Sequence, residues 1–152
     1  MIEHQYDNDL YKCGISEWMN ENDIGNGKTQ KEIWKAVVIK YKNLPDSTKI
    51  ANSSQFWYNY IVAINTVFDT IDIESPLKMA ENENNYLTKH GLIWSCFLMI
   101  NWKNMNNLDE RVINRIDDVA KDVQSKYPDK NEIPNAPSWN SQYEAFKQKF
   151  RK

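Results

Sequence analysis

The residues with the greatest chemical potential in this chain are Gly27-Lys28-Thr29, the carboxylates Asp117, Asp118 and Asp122, the histidines His4 and His90, and the cysteines Cys13 and Cys96. Gly27-Lys28-Thr29 resembles the second half of a phosphate-binding loop, whose full pattern is Gly, four residues, then Gly-Lys-Ser/Thr. The position of the first glycine is held by Asn22, and Glu17 to Glu21 carry acids where the motif needs a buried strand. The triplet therefore reads as a capped helix start. Asp117, Asp118 and Asp122 resemble the aspartate clusters that hold Mg²⁺ for diphosphate chemistry, but their spacing is one residue too long and no second cluster accompanies them. With Arg115, Lys121 and Lys126 at helical spacing nearby, they read as a solvated charged face.

Two histidines with no His-x-x-x-His pair, and two cysteines with no cluster, do not make a zinc site. Cys96 lies inside the most apolar stretch, Leu92 to Ile100, where a thiol keeps its proton and packs, so a Cys96–His90 nucleophilic couple is not expected. No cofactor and no metal are expected. Six tryptophans and eight tyrosines remain. Most fall on core stripes, but Trp18, Tyr58 and Trp139 are less committed to the interior, and aromatic side chains left at a surface are common anchors of protein interfaces.

Charge is arranged in blocks. Residues 1–25 hold six acids and one base, and residues 26–50 hold six bases and two acids. Residues 51–86 hold five acids, Asp69, Asp72, Glu74, Glu81 and Glu83, against one base; residues 87–152 carry a small basic surplus, which brings the chain to −2. Such a near-neutral balance disfavours a general nucleic-acid binder, and the basic block with Lys28, Lys31, Lys35, Lys42 and Trp34 is short and interrupted by acids. An acidic patch steers and holds a basic partner.

These groups must be positioned by helices, because the apolar period is helical almost throughout. Thr29 and Glu32 form a capping-box pattern before Ile33, Trp34, Val37, Val38 and Tyr41, and Pro45 ends that run. Ser53 or Ser54 is expected to cap a second helix from Phe56 to Ile71, although its aromatic and β-branched residues would also suit a strand. Ser75-Pro76 opens a short helix that fades within Glu81 to Asn85. A helix over about 88–104, apolar on almost every side, belongs at the centre of a bundle. Asn107 is expected to cap a helix carrying Leu108, Val112, Ile116, Val119 and Val123. An irregular, proline-marked connector follows, and then a last helix from Ser138 or Ser141 whose Trp139, Tyr143, Phe146 and Phe150 share one face. Leu10, Cys13 and Trp18 point to a short first helix.

The expected fold is all-α: a single compact, irregular bundle of five to seven helices over residues 1–152, around an almost fully buried central helix. No stretch approaches the length of a bilayer span and no export signal opens the chain, so a cytoplasmic protein without membrane contact is expected. Absence of converging catalytic groups points to a non-enzymatic protein-binding module, such as an immunity protein or antitoxin that covers the basic active site of a toxin. Its expected contact residues are Asp69, Asp72, Glu74, Glu81, Glu83, Trp18 and Tyr58. The alternative is a small helical enzyme or ligand-binding protein in which Asp69, Asp72 and Glu81 converge in a cleft for acid–base or metal work.

Overall fold

The computed structural model describes residues 14–151. Leu10, Cys13 and His4 lie outside them. The described residues form seven α-helices and one 3₁₀ turn, with no strand among them. The helices are α1 (Gly14–Glu21), α2 (Gln30–Lys42), α3 (Asp46–Val67), α4 (Glu74–Asn82), α5 (Tyr86–Trp102), α6 (Glu110–Ser125) and α7 (Ala136–Phe150); the turn is Lys130–Glu132.

The molecule is organised around α5. Twelve of its seventeen residues are buried, and it packs against α2, α3, α4, α6 and α7. Neither end is left open. The Asn85 side chain accepts the Thr88 amide at 3.0 Å. At the other end Asn104 takes a left-handed conformation with φ 49, letting the Met105 amide reach Ile100 O at 2.9 Å and the Asn104 amide reach Asn101 O at 3.2 Å, a pairing that satisfies the last carbonyls. Those two caps place the helix over residues 86–102, two residues before the span expected from apolarity alone. One continuous core runs from Trp18 on α1 to Phe146 on α7.

Gly91 permits the tightest approach in that core. A Cβ there would lie 2.4 Å from Trp57 Nε1 and 3.2 Å from Tyr41 Cζ. Only a glycine on α5 lets the Trp57 indole and the Tyr41 ring lie directly on the helix backbone. Tyr41 and Trp57 in turn pack with Phe56 into an aromatic cluster of tilted and edge-on rings, their centroids 4.8 to 5.2 Å apart.

Several helix boundaries differ from expectation, most of them for a local reason. α3 begins at Asp46, not at Ser53 or Ser54, since Pro45 opens the next helix as well as ending α2, and the amides of Thr48 and Lys49 both bond to Pro45 O. Ser53 is buried inside α3, where its hydroxyl donates back to Lys49 O and pairs with Tyr41 Oη. α3 also stops at Val67, leaving Ile71 beyond it. α6 is capped by Asp109, whose carboxylate accepts the Arg111 amide at 2.8 Å, so Asn107 is not the cap and Leu108 precedes the helix. α7 starts at Ala136, with Asn135 in a left-handed turn before it and Pro137 in its first turn. Within α4, Pro76 is the third residue rather than the first, still in the turn where a missing amide costs nothing.

Candidate functional site

The second acidic block is tied into the fold. Arg115, on α6, lies between two glutamates of α4: Nε and Nη2 reach the two Glu81 oxygens at 3.0 and 2.6 Å, and Nη1 reaches Glu74 Oε1 at 2.6 Å. The hydrogen bonds it donates to Glu81 and Glu74 hold the guanidinium still more firmly protonated. Asp72, two residues before α4, braces its first turn by accepting the Ser75 amide at 3.0 Å and the Ser75 hydroxyl. Glu83 pairs with Lys42 at 3.1 Å. Burial would raise its carboxyl, but hydrogen bonds from the Asn85 amide and Lys42 outweigh that and hold it below 4.5. Only Asp69 of the five is exposed without an ion pair among the described residues. Apart from Asp69, these carboxylates are held by hydrogen bonds and ion pairs to neighbouring turns and helices, and they do not converge in a cleft.

Asp117 and Asp122 of α6 are likewise tied into the fold, which corrects their reading as part of a solvated face. Asp117 is 4% exposed; it accepts from Tyr143 Oη and pairs with Lys121 at 3.1 Å and Arg151 at 3.2 Å. Burial alone would raise its carboxyl, yet Tyr143 and the two cations lower it. Asp122 accepts from Lys89 Nζ at 2.7 Å and from Tyr86 Oη at 3.1 Å, and the Lys89 hydrogen bond is the main reason its carboxyl is lowered. Asp118 is exposed, and the Asp122 side chain, though paired, is still 41% exposed. Arg115, placed by spacing among the partners of this cluster, turns instead to α4. No group of three His, Cys, Asp or Glu among the described residues could hold a metal ion.

The buried thiol and imidazole are inert. Cys96 is fully buried, and burial pushes its thiol up to about 12. His90 is fully buried between Trp94 and Trp139, with Nε2 donating to Pro134 O at 2.8 Å. Burial drives its pKa down to about 4, so the ring is neutral.

The aromatic residues divide sharply. Trp18 is 4% exposed and packs edge-on against Tyr60 at 4.7 Å, because the face of α1 that carries it is the one laid on α3. It is a core residue and not a surface anchor. Trp139 is completely buried. Tyr58 is 44% exposed, as expected, and its neighbour is a residue the apolar reading of α5 had assigned to the core: Trp102, 43% exposed, with ring centroids 5.5 Å apart in an edge-to-face arrangement. The signal for Trp102 was in its neighbours, since Asn101, Lys103 and Asn104 already mark the wet end of the helix. Ile15, Met19 and Val62 join the two rings around an open groove of about 370 Å³. α1, which supplies Ile15 and Met19, also carries the exposed Glu17 and Glu21, and the exposed Asp23 follows it. None of these three acids has an ion pair among the described residues.

Compared with protein-family models, with curated proteins and with solved structures, the chain matches none. No helix among the described residues is long and apolar enough to cross a membrane.

Proposed function

We propose that this chain is a non-enzymatic protein-binding module that recognises a basic protein through the Tyr58–Trp102 face, in the manner of an immunity protein or antitoxin. The observation that carries the reading is the exposed aromatic pair itself. Of six tryptophans, five are 4% exposed or less, and the sixth stands at the surface beside an equally exposed tyrosine. Tryptophan and tyrosine give large contact area for little loss of conformational freedom, which makes them strong interface anchors. Glu17, Glu21 and Asp23, exposed on and just after α1 and without an ion pair among the described residues, give the helix that borders the groove a negative charge that favours a basic partner and speeds encounter. In this reading the acidic contact surface moves from the second acidic block, where Glu74, Glu81, Glu83 and Asp72 already have partners, to the first. Tyr58 keeps its expected role as a contact residue. An enzyme built on Asp69, Asp72 and Glu81 has less support, because Asp72 and Glu81 are engaged by Ser75 and Arg115.

The test is co-expression with the product of the adjacent reading frame. A tight one-to-one complex is expected, with binding weakened at least about a hundredfold by Tyr58→Ala/Trp102→Ala, the effect of removing two hot-spot aromatics. A complex of undiminished affinity in that variant overturns the assignment of the face.

A further inference from the structure

We infer that the groove between α2 and α4 is a second binding site, built to take an acidic peptide segment in extended conformation. The groove has a volume of about 350 Å³; Lys31 and Lys35 on α2 and Lys78 on α4 line it, with Met79 and Asn82 beside them. All three lysines are exposed, and none has an ion pair among the described residues. Their isolation has a structural cause. Glu74, the one carboxylate lining the groove, is held by Arg115 at 2.6 Å, and Glu32, the acid of α2, is engaged in the capping box with Thr29 and acts on Lys35 only as a Coulomb neighbour. Arg115 therefore neutralises the acid that would otherwise cancel the lysines, and the groove is left with a local excess of positive charge inside a chain whose total is −2.

The spacing selects the form of the ligand. Lys31 and Lys35 are one helical turn apart, about 6 Å along α2. Alternate side chains of an extended peptide lie about 6.6 Å apart on one side, so two acids at alternating positions meet both lysines while Lys78 closes from the other wall. Met79 and the lysine stems form an apolar lining for a side chain between the acids. A nucleic-acid strand is disfavoured because no aromatic ring or arginine lines the groove for base stacking, and Trp34, on the same helix, is 1% exposed. This site is independent of the Tyr58–Trp102 face.

The test uses a fluorescein-labelled peptide with glutamates at alternating positions and one central leucine, titrated by anisotropy at low ionic strength. Binding is expected, together with a shift of the Met79 methyl resonance. Lys31→Gln/Lys35→Gln/Lys78→Gln is expected to weaken binding about tenfold or more, whereas Lys103→Gln/Lys130→Gln/Lys149→Gln, which removes the same charge elsewhere, leaves it within about twofold. Tyr58→Ala/Trp102→Ala is expected to bind the peptide normally, which separates this site from the proposed function. The inference is overturned if the unaltered protein does not bind, if the two lysine triples lose affinity equally, if the Met79 methyl does not move, or if an oligothymidylate of equal charge displaces the peptide at lower concentration.

Discussion

Lowering the pH from about 7.5 to about 5 brings into play one group that the folded protein cannot protonate and the unfolded chain can: His90. Its ring is enclosed by Trp94 and Trp139, its Nε2–H is committed to Pro134 O, and Nδ1 has no partner among the described residues. A proton added there would bring a charge into the core with nothing to receive it. Burial accordingly lowers its pKa from 6.5 to about 4. For a histidine depressed in this way the sign is fixed: the unfolded chain takes up the proton first, so stability is complete above about 6.5 and is lost as the pH falls toward 4. At about 1.4 kcal/mol per pH unit the full loss is about 3 kcal/mol, of which about 2 kcal/mol has gone by pH ~5. The lowered carboxylates Glu83, Asp117 and Asp122 act in a different window. Their contributions persist above the ordinary values of 4.5 and 3.8 and are lost only as the pH falls through their depressed ones.

Urea unfolding followed by tryptophan fluorescence reads this directly, in a His4→Gln background so that His90 is the only histidine. The free energy of unfolding is expected to fall by about 2 kcal/mol, of a total for such domains of about 5–15 kcal/mol, between pH ~7.5 and ~5. His90→Gln, which can still donate to Pro134 O, should be less stable at neutral pH and nearly flat over the window. A His90→Gln protein that loses as much stability as its parent across that range refutes the assignment.

Gly91→Ala should destabilise by about 3 kcal/mol, since its methyl would meet the Trp57 indole at 2.4 Å and the rigid ring cannot swing aside in a packed core; thermal unfolding measures it. Arg115→Gln should cost about 1 kcal/mol at low salt and less at high salt, because the clamp is partly exposed and screened; urea midpoints at two ionic strengths show the difference. In a Cys13→Ser background, Cys96 should resist a thiol reagent at mildly alkaline pH until the protein unfolds, as burial raises its thiol to about 12; rapid labelling of the native protein would contradict this.

What the sequence made legible was the helical period and, through it, the core. Ile33, Trp34, Val37 and Tyr41 line the buried face of α2 as their spacing requires, and Trp139, Tyr143 and Phe146 do the same on α7. Helix starts were harder to place because one residue can serve two ends: Pro45 stops α2 and starts α3, while Ser53 looks like a cap but bonds back to its own helix. The acidic block was visible as charge, but its neutralisation depends on Arg115, which lies 34 residues from Glu81 in the chain, and linear spacing suggested nearer partners on α6. Trp18 and Trp102 exchanged places for a related reason. Whether an aromatic residue at a helix end is covered depends on which element crosses over it, and that is a property of tertiary packing.

Surface recognition through Tyr58 and Trp102 is tested most directly by hydroxyl-radical footprinting of the protein alone and in complex with the product of the adjacent reading frame. Strong protection of Tyr58 and Trp102, with Met19 beside them and little change at Met79, is the predicted result. Protection confined to the stretch from Asp69 to Glu83, with both exposed rings still fully reactive, would contradict it.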